Sequence, residues 1–77
     1  MFIYKLTQEE TVGYDTYDAM VVIAKSAKAA KMILPNRESI WTGQAWASSP
    51  DHVTVTKIGK AEPGSRTGIV LSSFNAG

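Results

Sequence analysis

Phe2-Ile3-Tyr4-Lys5-Leu6-Thr7, followed further along by Ala19-Met20-Val21-Val22-Ile23-Ala24, is the pair of segments on which the fold turns. In the first, Phe2, Tyr4 and Leu6 alternate with Ile3, Lys5 and Thr7. That period of two marks a strand with one buried face. The second is a continuous apolar run rich in β-branched residues, which reads as a central strand covered on both faces or nearly so. The two segments are expected to pair antiparallel through a long loop from Glu9 to Asp18. Gly13 supplies the turn there that a residue with a Cβ resists.

Working outward, Ser26 can cap a helix over Ala27 to Leu34, which Pro35 stops because proline cannot continue the hydrogen-bond ladder. Ala27, Ala30, Ile33 and Leu34 form the stripe expected to face the sheet, while Lys25, Lys28 and Lys31 point away from it. So short a helix needs that packing to persist. Val53 to Ile58 reads as a third strand, with Val53 and Val55 on one face. Gly59 to Ser65 is turn chemistry, and Gly68 to Phe74 reads as a fourth strand. Ser49-Pro50-Asp51 offers a helix or turn start just before the third strand. Residues 36–50, which hold Trp41 and Trp46, show no clear period. The order β-β-α-β-β predicts an α+β domain over residues 1–77, with one antiparallel sheet of about four strands and a helix on one face. The expected core is Ile3, Leu6, Val21, Ile23, Ala30, Ile33, Val55, Ile69 and Leu71.

Composition narrows the chemistry. At 77 residues and 8.3 kDa the chain is near the lower limit for folding without staples. It has no cysteine and one histidine, His52, so neither disulfides nor a zinc site is expected. A hydrophobic fraction of 44% argues against disorder. No apolar run reaches the ~20 residues that span a bilayer, and Met1-Phe2-Ile3-Tyr4-Lys5 lacks the features of a signal peptide. A cytoplasmic protein that binds no membrane is the expectation. The net charge of +1 conceals segregation. Glu9, Glu10, Asp15 and Asp18 oppose Lys5 before the central run, whereas Lys25, Lys28, Lys31 and Arg37 follow it without an acid, so the molecule should be dipolar.

Three surfaces could act. The first is the loop Gly13-Tyr14-Asp15-Thr16-Tyr17-Asp18, in which tyrosines offer contact area and aspartates offer partners for basic side chains. With Glu9 and Glu10 it is the expected binding site for a protein, although Asp is also a common turn former. The second is the lysine row, Lys25, Lys28 and Lys31, which with Trp46 stacking on a base is the expected site should the partner be nucleic acid. A solvated helix face and a core tryptophan explain the same residues. The third, His52 beside Asp51, lacks an evident nucleophile or second base, and Gly64 and Gly68 precede no helix that could receive a phosphate. No catalytic residue and no cofactor is therefore expected.

Gly13-Tyr14-Asp15-Thr16-Tyr17-Asp18 with its apolar strand, Ser48-Ser49-Pro50-Asp51 running into Val53-Thr54-Val55, Ile58-Gly59-Lys60-Ala61, and the ending Gly68-Ile69-Val70-Leu71-Ser72-Ser73-Phe74-Asn75-Ala76-Gly77 together resemble a family of small uncharacterised bacteriophage and prophage proteins. The likeness spans nearly the whole chain but not Lys25 to Ala45, so the lysine row inherits nothing from it. The family has no established catalytic residues. Phage proteins of this size without an active site are often similar to anti-CRISPR proteins and related inhibitors of host defence. The resemblance thus implies a non-catalytic protein that covers a surface of a bacterial host complex. A nucleic-acid-binding accessory protein is the second expectation. A structural or housekeeping phage protein, a homodimer formed through a sheet edge, is the third.

Overall fold

The computed structural model describes residues 1–75 except 12, 14 and 36–45. Its elements are β1 (Phe2–Gln8), β2 (Thr16–Ala24), α1 (Ala27–Lys31), β3 (Val53–Lys60) and β4 (Gly68–Asn75), with a 3-10 turn over Pro50–His52. The four strands form one antiparallel sheet in the order β3-β1-β2-β4. The α+β architecture is the one the alternation predicts. The connection from β3 to β4 is not a hairpin, because it carries the chain from one edge of the sheet to the other.

Cross-strand partners share a face, so the register decides which side chains meet. Tyr4 lies opposite Val22, Leu6 opposite Met20 and again opposite Val55, and Gln8 opposite Val53. α1 packs on this face through Ala30, and Ile33, Leu34 and Phe2 pack against its margin. Leu6, Val22, Ala24, Ala30 and Ala47 are fully buried, Tyr4, Met20 and Val53 nearly so, and Trp46 closes the cluster at 1% exposure.

The predicted core therefore needs correction. Ile3 and Leu6 are an odd number of residues apart, so strand alternation puts them on opposite faces. Ile3, Val21 and Ile23 are only half-buried on the face α1 does not cover, and Ile69 and Leu71 on the outer strand are 40% and 67% exposed. On β1 and β3 the covered face holds Phe2, Tyr4, Leu6, Val53 and Val55, with Gln8 at one end and Lys57 opposite Tyr4 towards the other. Opposite it, Lys5, Thr54 and Thr56 are exposed.

Three boundaries also differ from expectation, the first being that Gly59 and Lys60, read as turn, pair with Ile3 and Phe2 as the end of β3. Thr16-Tyr17-Asp18 belongs to β2 and not to the loop, since Thr16 and Tyr17 pair with Asn75 and Phe74 while Asp18 forms a bulge. The helix stops at Lys31, three residues early. Ser26 caps it as expected, its Oγ accepting from Ala29 N at 3.1 Å. Beyond Met32 the chain leaves the helical path, leaving Met32 55% exposed while Ile33 and Leu34 pack on the core and Pro35 is buried. The constraint proline places on its preceding residue favours this early exit.

Leu6→Ala is expected to cost about 2–5 kcal/mol by opening a cavity under α1. Ile23→Ala, on the open face, should cost less than half as much. Urea titrations of the two variants give the comparison, and equal costs would show that both faces are buried.

Candidate functional site

The loop between β1 and β2 is organised by one buried amide. Gln8, 4% exposed, accepts from Thr11 N at 2.8 Å and donates through Nε2 to Thr11 O (2.6 Å) and Tyr17 O (2.8 Å). Thr16, also buried, donates its hydroxyl to Gly13 O at 2.8 Å. These bonds satisfy the buried polar side chains of Gln8 and Thr16, which would otherwise be stranded. Gly13 (φ 111°) and Asp15 (φ 60°) take the left-handed backbone, a conformation Asp tolerates better than most residues.

A second set of bonds ties this loop to the start of β3. The Glu10 carboxylate accepts from Ser48 N and from Ser48 Oγ, each at 2.7 Å. The Thr11 hydroxyl donates to Trp46 O at 3.2 Å. His52 Nε2 lies 3.9 Å from Glu10 Oε1, beyond hydrogen-bond length. The Ser48 hydroxyl bond, then its backbone N–H, hold the Glu10 carboxyl below its ordinary pKa, with His52 adding a smaller contribution. Ser48 donates to the carboxylate and not to the imidazole, so this trio lacks the order of bonds by which histidine activates a serine.

Glu9, Asp15 and Asp18 are exposed at this end of the sheet, with Asp51 beside them because Gln8 pairs with Val53. Glu10 belongs to the clasp and is one-third exposed at its side chain. Tyr17 is half-buried against the core, its ring 4.7 Å from that of Phe74 at 55°. Tyr14 lies outside the described residues, as do Trp41 and Arg37. The structure thus gathers Glu9, Glu10, Asp15, Tyr17 and Asp18 at one pole, with Tyr17 contributing an edge and not a freely presented ring.

The basic residues occupy the opposite end. Lys25 and Lys28 are exposed and Lys31 is half-exposed. They are joined by residues that the linear charge pattern did not connect with them. Phe2 pairs with both Ala24 and Lys60, and Lys57 Nζ lies 3.7 Å above the Phe2 ring, so the ends of β2 and β3 converge there. Arg66 enters with the start of β4, where Gly68 pairs with Ile23. Only sheet order could have shown this grouping. Trp46 takes no part in it. Its ring is buried and offers no face to a base, which corrects its assignment to a stacking site, and among the described residues its Nε1 has no hydrogen-bond partner.

A depression of about 100 Å³ on the open face, lined by Lys5, Ala19, Met20, Val21, Leu71 and Ser73, is well below the roughly 300–1,000 Å³ of small-molecule sites. Among the described residues no group of three metal-ligating side chains is found, and no helix is long and apolar enough to cross a membrane. No protein-family model, curated protein or solved structure matches the chain.

The lowered Glu10 pKa carries a sign. Its stabilising contribution is complete above the ordinary glutamate value and is lost as pH falls through the lowered folded value. Glu10→Gln is therefore expected to lower Tm at neutral pH and to flatten the fall of Tm between about pH 5 and 3. Parallel Tm-against-pH curves for the two proteins would show that the clasp contributes nothing.

Proposed function

We propose that this chain is a non-catalytic binding protein of bacteriophage origin. It acts in the bacterial cytoplasm by covering a basic surface on a host defence complex, in the manner of anti-CRISPR proteins. The observation that carries the reading is the acidic pole. Glu9, Asp15, Asp18 and Asp51 project around a loop that Gln8 and the Glu10–Ser48 clasp hold in shape. Residues held by such bonds lose little entropy on binding, and like charges gathered beside them speed encounter with a basic partner. The phage setting rests on the resemblance read from the sequence alone.

One observation favours a second reading, in which the basic pole holds nucleic acid. Lys25, Lys28, Lys31, Lys57, Lys60 and Arg66 stand at one end of the sheet with Glu62 as the acid nearest them in sequence. Against it, the tryptophan that would stack on a base is buried.

The two readings part on which charges matter. With nuclease-treated bacterial lysate as the source of partner, Glu9→Lys/Asp15→Asn should abolish capture of the host complex, whereas Lys25→Glu/Lys28→Glu/Lys31→Glu should retain it. Asn is chosen because it tolerates the left-handed backbone. Exposed charges contribute little to folding, so both variants should keep the wild-type circular dichroism spectrum. Salt-sensitive, sub-micromolar binding of the wild type to random DNA or RNA, lost in the lysine variant, would replace the first reading with the second.

A further inference from the structure

The two edges of the sheet are built differently. The β3 edge, Val53–Lys60, carries Lys57 and Lys60, the kind of charge that blunts an edge against further pairing. The β4 edge, Gly68-Ile69-Val70-Leu71-Ser72-Ser73-Phe74-Asn75, holds no charged residue and no proline over eight positions. Among the described residues no strand pairs with its outer side. Four of its apolar side chains are open to solvent: Ile69 at 40%, Val70 at 60%, Leu71 at 67% and Phe74 at 46%. Val70 is the extra residue of a bulge against Val21 and Val22, whereas Leu71–Asn75 carries no extra residue of its own, the second bulge lying on β2 at Asp18.

We infer that β4 pairs antiparallel with β4 of a second copy, joining two four-stranded sheets into one eight-stranded sheet about a two-fold axis. Charge placement selects this occupant and this orientation. Arg66 and the lysines of the basic pole flank the start of β4, and Asp18 and Asp15 flank its end, where Tyr17 pairs with Phe74. Antiparallel pairing lays the basic pole of each copy beside the acidic pole of the other, whereas parallel pairing would align like poles. The strand itself is neutral, so isologous contact sets no charge against its own copy. Edge pairing covers Val70, Leu71 and their neighbours together with the unused N–H and C=O groups. The lysines on the β3 edge discourage a second round, so the assembly closes at two. The inference is argued from the β4 edge and not from the proposed function, and the pairing would set the second copy's basic pole beside Asp15 and Asp18.

The test is the mass of the full chain in solution. Sedimentation velocity from low to several hundred micromolar should show a species of twice the 8.3 kDa chain mass. Leu71→Lys sits on the open face, so it should leave circular dichroism unchanged and weaken dimerisation at least tenfold by opposing like charges across the axis. Thr56→Lys, on the other edge, should dimerise as the wild type does. Because the chain has no cysteine, orientation can be read directly. A mixture of Ile69→Cys and Phe74→Cys chains treated with a short bis-maleimide should cross-link far more than either chain alone. A wild type monomeric throughout the concentration range, or growing into open-ended assemblies, overturns the inference. So does a folded Leu71→Lys variant that dimerises normally, and preferential cross-linking of each cysteine chain to itself overturns the antiparallel arrangement. Should Leu71→Lys fail to fold, the wild-type mass and the cross-linking pattern still decide.

Discussion

One short helix and the segments flanking it can cover one face of a four-stranded sheet, and the rest of the structure follows from that. α1 has five residues and a single fully buried side chain, Ala30. It cannot bury both faces, so the register of β1 with β2 and β3 puts the most consistent apolar set, Tyr4, Leu6, Val22, Met20, Val53 and Val55, on the same side. Trp46 supplies bulk that the small helix lacks, arriving from the segment before β3. Among the described residues, the other face is then left half-buried and the β4 edge with apolar side chains open to water. In a chain this small, hydrophobic residues outnumber the places available to bury them.

The strands were legible because alternation is a local property. Which face became the core was not, because β2 is apolar on both sides and neither face of that strand taken alone is preferred. The choice was made by β1 and β3, where Tyr4, Leu6, Val53 and Val55 oppose Lys5, Thr54 and Thr56. Reading those strands jointly would have excluded Ile3 and Ile23 from the core. The helix stop was misplaced for a different reason. Proline's influence extends to the residue before it, and the chain gains more by packing Ile33 and Leu34 outside the helical path.

At the candidate site, the acidic character of the first loop was legible, but its construction was not. Nothing local distinguishes Gln8 from an ordinary strand-end polar residue, yet its amide fastens both Thr11 and Tyr17. Glu10 reads as one more acid until Ser48, remote in sequence, is brought to it by the β1–β3 pairing. The basic pole is likewise a product of topology, for Lys57, Lys60 and Arg66 reach Lys25 and Lys28 only because β3 and β4 flank the central hairpin. Charge segregation along the strands is thus stronger in space than along the chain.

Among the described residues a single face of the sheet is buried, and neighbouring residues on β2 test this most directly. Val22 is fully buried beneath α1, and Val21 is half-buried on the opposite side. Since the chain lacks cysteine, Val21→Cys and Val22→Cys each carry one thiol, whose labelling rate under native conditions reports its accessibility. Rapid labelling is expected of the thiol at position 21, and labelling at position 22 only as fast as the protein opens. Equal protection at both positions would contradict single-face burial, showing that the second face is covered as well.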